Sequence, residues 1–188
     1  MKKIIVLGIF ISMMACTKKN VSENQNLEKN AKSKETIAAS LKKMYDAEFH
    51  NQYPLEDTLI FSKEIVELNS QCDSVTKADT ERIAKSNYPL DKPFLREGSR
   101  VSALQEGVTD FKITEIKTIS DRTEVNVTLS NKNYPELKPW NERVVFINQN
   151  GLKIDNIYFK LDKEASASNY STLKKTLVSF IKQADGIK

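Results

Sequence analysis

The feature that most constrains the fold of this chain is a change in the spacing of its apolar residues near residue 100. Before that point apolar side chains recur every three or four residues, as on one face of a helix, and after it they alternate with polar ones, as in a strand. Helices followed by a run of strands indicate an α+β domain. We therefore expect N-terminal helices, a curved antiparallel sheet of four to five strands covered on one face, and a C-terminal helix.

The N-terminal part is predicted to contain two helices and a weaker third helical segment over 76–85. The first helix should begin at Ser33 or Thr36 and end before Pro54, and the second should occupy about 58–72. The expected buried stripe of the first comprises Ile37, Leu41, Met44, Tyr45 and Phe49. That of the second comprises Phe61, Ile65, Leu68 and Cys72.

Five segments of the second half are predicted strands: 100–105, 108–119, 123–131, 140–149 and 152–159. Asn150-Gly151 joins the last two and is a strong hairpin signal, because a type I′ turn needs positive φ at both central residues. Asn169 or Ser171 is expected to cap a final helix that Gly186 ends. Its apolar face comprises Leu173, Leu177, Phe180, Ile181 and Ala184.

The first sixteen residues have the pattern of an export signal. Lys2 and Lys3 precede the apolar run 4–14, and Ala15 supplies the small residue that a signal peptidase needs. At about 1.5 Å per residue the run is only about 16 Å long, roughly half of a bilayer core. We expect residues 1–15 to be a removable signal peptide.

Met13-Met14-Ala15-Cys16 resembles the lipobox of bacterial lipoproteins. The resemblance implies a diacylglyceryl group on Cys16, palmitate among its acyl chains, and a domain held on a bacterial envelope membrane outside the cytoplasm, as in the periplasm. The alternative is an ordinary signal followed by a chance cysteine. Residues 16–32 would then be the lipidated cysteine and a polar, flexible tether, and 33–188 a single domain.

Charge and cysteine content narrow the classes of partner and of site. Loss of Lys2 and Lys3 removes two charges from a formal net charge of +4, and no Lys/Arg cluster typical of a nucleic-acid binder remains. If Cys16 carries lipid, Cys72 has no disulfide partner, so the core must stabilise the domain. We expect Cys72 to be a small buried residue rather than a nucleophile.

The final hairpin, WNERVVFINQNGLKIDNIYF, is similar to the closing strands of the cystatin-like cone in the nuclear transport factor two superfamily. Residues 151–157 match the residue pattern of the last of those strands. The stretch YPLDKPFLREGSRVSALQEGVTDFKI resembles the central block of an uncharacterised domain family of exported lipoproteins. The matching residues are Pro93, Phe94, Glu97, Gly98, Glu106 and Gly107. Together the resemblances imply a fold and no established activity.

Some cones of this superfamily hold an acid in an apolar pocket, where burial raises its pKa and lets it transfer protons. Asp110, Glu106 and Asp155 are the acids nearest the predicted sheet, and Asp155 is expected to be solvated or to stabilise a turn. His50, the only histidine, is expected to lie exposed at the end of the first helix. A lone histidine excludes a multi-histidine zinc site, and no nucleophile motif or phosphate loop is present.

Glycine and aromatic residues offer two further candidates. Gly98 and Gly107 are interpreted as turn residues with positive φ or bulges rather than as ligand contacts. In the loop NKNYPELKPW, Trp140 is expected to enter the core, which leaves Tyr134 as a possible interaction residue.

The sequence favours a non-catalytic binding module anchored in the envelope, with a protein or a small apolar ligand as partner and no cofactor. The second hypothesis is an immunity-type lipoprotein that neutralises a toxin at the membrane. The third is a proton-transfer enzyme, which would require a buried acid in a deep pocket of the cone.

Overall fold

The computed structural model of the chain describes residues 17–50, 52, 54–96, 99–104, 107–159 and 171–185, with side chains from Ser33 to Ala184. The chain divides into two compact units, Met1–Ile37 and Ala38–Lys188. The described part of the first unit is helical, and the second contains the remaining helices and the sheet. The domain is therefore α+β, as predicted.

Helix α1 spans Thr17–Phe49. It begins well before the predicted start at Ser33 or Thr36, so residues 17–31, expected to be an irregular tether, are helical. Their many Lys, Glu, Gln and Asn residues give no apolar period, but Lys, Glu and Gln are good helix formers. Leu41, Met44 and Tyr45 are buried as predicted, whereas Phe49 is 44% exposed. A spacer role for residues 16–32 stays a prediction.

Helix α2 spans Lys63–Ala84 and corrects two expectations. Ser62 caps it, accepting a hydrogen bond from the Ile65 amide at 3.4 Å, so the helix begins five residues after the predicted start near residue 58. Phe61 lies outside the helix and forms a parallel bridge with Ile154. The third segment, 76–85, is the continuation of α2 rather than a separate helix. Within the described residues, no helix is long and apolar enough to span a membrane.

The sheet has the strand order β1-β2-β3-β4, all antiparallel. The strands are Asp110–Ile119 (β1), Arg122–Ser130 (β2), Trp140–Asn148 (β3) and Leu152–Tyr158 (β4). Four of the five predicted strands are thus confirmed to within two residues at each end. The fifth, 100–105, is wrong over its described residues, because the amides of Val101 and Ser102 bond to Ser99 Oγ and that of Ala103 to a side chain of β3.

One face of the sheet forms the core. Alternate residues of β2 are buried, and the pairing register shifts at Ile113/Glu115 between β1 and β2 and at Val145/Phe146 between β3 and β4. Tyr45 of α1 contacts Phe111 of β1, with ring centroids 5.5 Å apart. The inward residues of the sheet with no exposed surface are Val125, Val127, Leu129, Glu142, Val144, Phe146, Ile154 and Ile157.

Helix α3 spans Leu173–Asp185 and packs beside α2 and β4. Thr172, not Ser171, caps it, since its Oγ1 accepts a hydrogen bond from the Lys175 amide at 3.2 Å. Asn169 and Gly186 lie outside the described residues. Cys72 is buried, as predicted, with its Sγ 3.6 Å from the Leu177 carbonyl oxygen. Burial raises the pKa of the Cys72 thiol, so the structure provides no activated thiolate there.

Candidate functional sites

Among the described residues, Glu142 on β3 is the one acid buried on the inward face of the sheet. It lies between Trp140 and Val144 on the inward face, and its partner across the sheet is Val127. Its side chain has no exposed surface. Strand alternation therefore places a carboxyl group at a position that would ordinarily hold an apolar residue.

Three donors converge on one oxygen of this carboxyl group. Glu142 Oε1 accepts hydrogen bonds from the Ala103 amide at 2.7 Å, the Trp140 indole at 3.1 Å and the Ser102 hydroxyl at 3.4 Å. Oε2 has no hydrogen-bond partner within the described part of the chain. Burial raises the pKa of Glu142 to about 7, because desolvation outweighs the three hydrogen bonds that favour the charged form.

Tyr45 is the second polar group of this interior. Its hydroxyl is buried without a hydrogen-bond partner among the described residues. Burial, and next the charge of Glu142, raise the pKa of Tyr45 well above its usual value. The phenol therefore stays neutral, and Glu142 is the group that takes up or releases a proton near neutral pH. Glu142 has no exposed surface, so the described residues as packed leave no opening through which a substrate could contact it.

Asp155 and Asp110, two of the acids named from the sequence, do not lie in this interior. Asp155 Oδ2 accepts a hydrogen bond from Lys174 Nζ at 2.8 Å, so it ties β4 to α3 rather than standing in solvent or supporting a turn. Asp110 lies at the exposed start of β1, 3.1 Å from Lys132 Nζ. Glu106 lies outside the described residues. Sequence reasoning missed Glu142, although its spacing of two from Trp140 and from Val144 identified it as an inward residue of a strand.

A second candidate site is an open groove between α3 and residues 92–96, with a volume of about 810 Å³. We call it the charged groove. Four cationic side chains and one acidic side chain line it: Arg82, Lys92, Arg96, Lys175 and Asp79. Its apolar lining comprises Pro93, Phe94, Leu95 and Phe180, and Ser171, Thr176, Ser179 and Gln183 complete the wall.

Contacts with α2 and α3 fix the position of Phe94 in this groove. Its amide donates to Asp79 Oδ2 at 2.7 Å, and its carbonyl accepts from Thr76 Oγ1 at 3.1 Å. Its ring stacks on Phe180, with centroids 4.5 Å apart and planes 14° from parallel. The Phe94 amide, and next Arg82, lower the pKa of Asp79, so this carboxylate stays ionised.

Arg96 borders the groove and reaches into the space between α2 and its neighbours. Its Nη2 donates to the buried Asn69 Oδ1 at 3.0 Å, and Asn69 Nδ2 donates to Asp73 at 2.9 Å. Its Nε and Nη1 are buried without a hydrogen-bond partner among the described residues. Burial, and next the charge of Arg100, lower the pKa of Arg96. The guanidinium is thus held with unused donors, which is energetically costly.

A smaller cavity of about 330 Å³, which we call the apolar pocket, adjoins the charged groove. The two share Asp79, Arg82 and Phe94 as wall residues. The rest of the apolar pocket is formed by Ser74, Val75, Ala78 and Ala184. The side chains of Phe94 and Arg82 therefore line both cavities.

Of the remaining sequence candidates, Trp140 belongs to the Glu142 site through its indole hydrogen bond, whereas His50 and Tyr134 line neither the charged groove nor the apolar pocket. His50 follows α1 and is exposed, as predicted. Trp140 is buried, and Tyr134 is 44% exposed, so an interaction at Tyr134 stays a prediction. Gly107 has φ +77°, which agrees with its interpretation as a turn residue, whereas Gly98 lies outside the described residues. Among the described side chains, no group of three His, Cys, Asp or Glu is placed to hold a metal ion.

Comparison of this chain with protein-family models, with curated proteins and with solved structures finds no match. None of the three resemblances drawn from the sequence gains support from these comparisons. Any function must therefore be argued from the two sites themselves.

Proposed function

We propose that this chain is an exported, lipid-anchored and non-catalytic binding module, and that the charged groove with the apolar pocket is its ligand site. The anchor is Cys16, on the strength of its resemblance to a lipobox, and the module is a cystatin-like cone whose sheet supports the helices. The observation that carries the proposal is the contrast between a filled sheet interior and an open groove of about 810 Å³ on the helical side.

The filled interior argues against a ligand inside the sheet. Phe146, Leu129 and Ile154 have no exposed surface on its inward face. Close-packed side chains of this size leave no room for a guest without rearrangement. The charged groove, by contrast, has aromatic and cationic walls already in place, as ligand sites usually do.

Native mass spectrometry of the full chain, extracted from the envelope in mild detergent, tests this proposal. A bound small molecule is expected on the wild-type chain and on a Lys182→Trp variant, because Lys182 is exposed on α3 but does not line the groove. Ser179→Trp places the same bulk inside the groove and should remove the molecule. Equal retention by the Ser179 and Lys182 variants would overturn the groove as the site.

The specific observation that favours a second function, proton transfer, is Glu142 with its pKa near 7. A general acid or base is most effective when its pKa lies near the working pH. Its burial behind Tyr45 and Trp140 argues against this function, since a reacting group must come within hydrogen-bonding distance. An isomerase or hydrolase activity of the purified chain that Glu142→Gln abolishes would establish the enzyme and displace the binding module.

A further inference from the structure

The two edges of the sheet differ in how the described part of the chain covers them. The outer edge of β4 is occupied, since Phe61 forms a parallel bridge with Ile154, whose amide donates to the Ile60 carbonyl at 2.7 Å. β1 ends the strand order on the other side. Among the described residues no backbone hydrogen bond joins another element to its outer edge, so β1 presents an open edge ten residues long.

The apolar side chains of β1 are less well covered than those of the next strand. Val125 and Val127 of β2 have no exposed surface. Their cross-strand partners in β1, Ile116 and Ile113, are only half-buried, and so is Phe111. A further strand beside β1 would extend the sheet and bury this remaining apolar surface.

The outward face of β1 carries exposed charges of alternating sign. Asp110 and Lys112 precede a bulge in which Thr114 is the extra residue, and Glu115 and Lys117 follow it. Because the bulge shifts the alternation by one residue, all four charged side chains lie on the same face of the sheet.

The order of these charges matches a second copy of the same strand. In an antiparallel pair centred on Ile113, Lys112 of each copy lies opposite Glu115 of the other. Asp110 lies opposite Lys117 in the same register. Each of the four charges then meets an opposite charge, which stabilises a cross-strand pair.

Neighbouring registers lack this match. A slip of two residues in one direction places Lys112 opposite Lys112 of the second copy, and a slip in the other direction places Glu115 opposite Glu115. Like charges directly opposite each other are destabilising. In the matched register the half-buried Ile113 meets its own copy, and Phe111 meets Ile116. Charges of a single sign would only block the edge, whereas this order permits one arrangement.

Contacts within the chain leave these charges available to a second partner. Glu115 is 2.9 Å from Lys117, and Asp110 is 3.1 Å from Lys132, but all four side chains are 43% to 71% exposed. Exposed ion pairs of this kind contribute little to stability, so a cross-strand partner can share or replace them. The match depends on the order of the signs and not on an absence of partners.

We propose that the chain forms a homodimer in which the two β1 strands pair antiparallel about Ile113 and join both sheets into one of eight strands, four from each copy. The interface is isologous, because each copy contributes the same edge. No residue of β1 lines the charged groove, so the dimer is independent of the proposed ligand site.

Sedimentation equilibrium of the full chain in density-matched non-ionic detergent tests the proposal. The wild type should be a dimer that dissociates on dilution. Lys112→Glu and Glu115→Lys each place like charges opposite one another at two symmetric positions, so each should weaken dimerisation about tenfold or more. The double variant Lys112→Glu/Glu115→Lys restores opposite charges and should return the dissociation constant to within about threefold of the wild type. Lys182→Glu reverses a charge on α3, which packs beside the opposite edge of the sheet, and should change nothing.

Disulfide cross-linking in intact cells tests the register without changing a charge. Ile113→Cys brings two thiols opposite each other, at the Cα separation of about 4.5–5.5 Å of an antiparallel pair, and should give a covalent dimer on mild oxidation. Thr118→Cys is the matched control on the same face of β1. In this register its two thiols lie roughly 26 Å apart, so it should give none. The wild type, which shares Cys16 and Cys72 with both variants, is the blank.

Three results would overturn the β1 dimer. The first is a wild type that stays monomeric at every concentration, with no covalent dimer from Ile113→Cys. The second is a dimer that both single charge reversals leave intact, or that both weaken and the double variant does not restore. The third is cross-linking through Thr118→Cys as efficient as through Ile113→Cys, which would place the contact in another register.

Discussion

Glu142 makes the stability of the domain depend on pH at the scale of one residue. Its pKa is raised from 4.5 to about 7 in the fold. Below the lower value both folded and unfolded chains are protonated there, and the group has no effect. Between pH 4.5 and about 7, Glu142 ionises in the unfolded chain but stays protonated in the folded chain. The folded chain therefore binds more protons, and its free energy of unfolding falls as the pH increases. Above about 7 the loss is complete, on the order of 3 kcal/mol.

Glu142→Gln should remove this loss, because the amide oxygen keeps the position of Oε1 and the side chain no longer ionises. Urea unfolding at pH 4, pH 5.5 and pH 8 measures the free energy of unfolding. The difference in favour of the variant over the wild type should grow as the pH increases. Glu136→Gln, an exposed change, is the control. A constant difference between Glu142→Gln and wild type at all three pH values would contradict the argument.

Arg96 should contribute little to the stability of the ligand-free fold. Each buried polar group without a partner costs about 1–3 kcal/mol, and within the described part of the chain Arg96 has two such nitrogens. Arg96→Gln removes the charge and the unused donors, but its side chain is too short to keep the bond to Asn69 Oδ1, so the gain and the loss offset each other. We expect unfolding free energy within about 0.5 kcal/mol of wild type, or above it.

Asn69→Ala supplies the comparison for Arg96 in the same urea experiment. Asn69 is 1% exposed and bonds to both Arg96 and Asp73, so its loss should cost about 1–3 kcal/mol. If Arg96→Gln costs as much as Asn69→Ala, the Arg96 guanidinium stabilises the fold, and the argument from its unused donors is wrong.

At the scale of elements, the β3–β4 hairpin depends on two residues with positive φ, Asn150 at 55° and Gly151 at 116°. A Cβ at Gly151 would meet no atom within 4 Å, so substitution changes the backbone energy and creates no clash. Gly151→Ala should therefore destabilise the domain by about 1–2 kcal/mol through backbone strain alone. Thermal unfolding measures this as a lower Tm.

Asp121→Ala in the β1–β2 turn is the matched control for Gly151. Asp121 is exposed and lies beside Ser120, which carries the positive φ in that turn. Its substitution should leave Tm nearly unchanged. A Gly151→Ala variant as stable as the wild type would show that the hairpin accommodates a side chain by shifting its turn.

The elements also show which physical signals the sequence carries. The four strands were predictable because the sheet buries one face, so apolar and polar residues alternate along each strand. Residues 100–105 alternate similarly, but the described residues 100–104 form no strand, since Ser99 Oγ accepts from the amides of Val101 and Ser102, and Glu142 from that of Ala103. Such side-chain acceptors leave no periodic signal in the sequence. The second half of α2 was predicted only weakly because its stabilising contacts are polar, as between Asp79 and the Phe94 amide.

The candidate sites were less predictable than the fold for the same reason. The position of Glu142 on an inward face could be predicted from the sequence. Its hydrogen bonds could not, because Ala103 and Ser102 are distant from it along the chain. The charged groove brings Arg82, Lys92 and Lys175 together from α2, the following segment and α3. No spacing along the chain encodes such a cluster, because it forms only when these elements pack.

At the scale of the whole molecule, the proposed lipid on Cys16 determines where the groove works. Each buried methylene contributes about 0.8 kcal/mol, so two or three acyl chains hold a protein on a membrane almost permanently, whereas one does not. A domain held in this way samples ligands near the bilayer surface.

Cys16→Ser should abolish the attachment, because a hydroxyl group does not replace the thiol as the acceptor of the diacylglyceryl group. Growth with labelled palmitate, followed by capture of the chain and intact-mass measurement, should show label and added lipid mass on the wild type and neither on this variant. Cys72→Ser should keep both, since Cys72 is buried in the core between α2 and α3. A wild-type chain that retains residues 1–15 and a bare Cys16 thiol would exclude the anchor, and the groove would then have to find its ligand in solution.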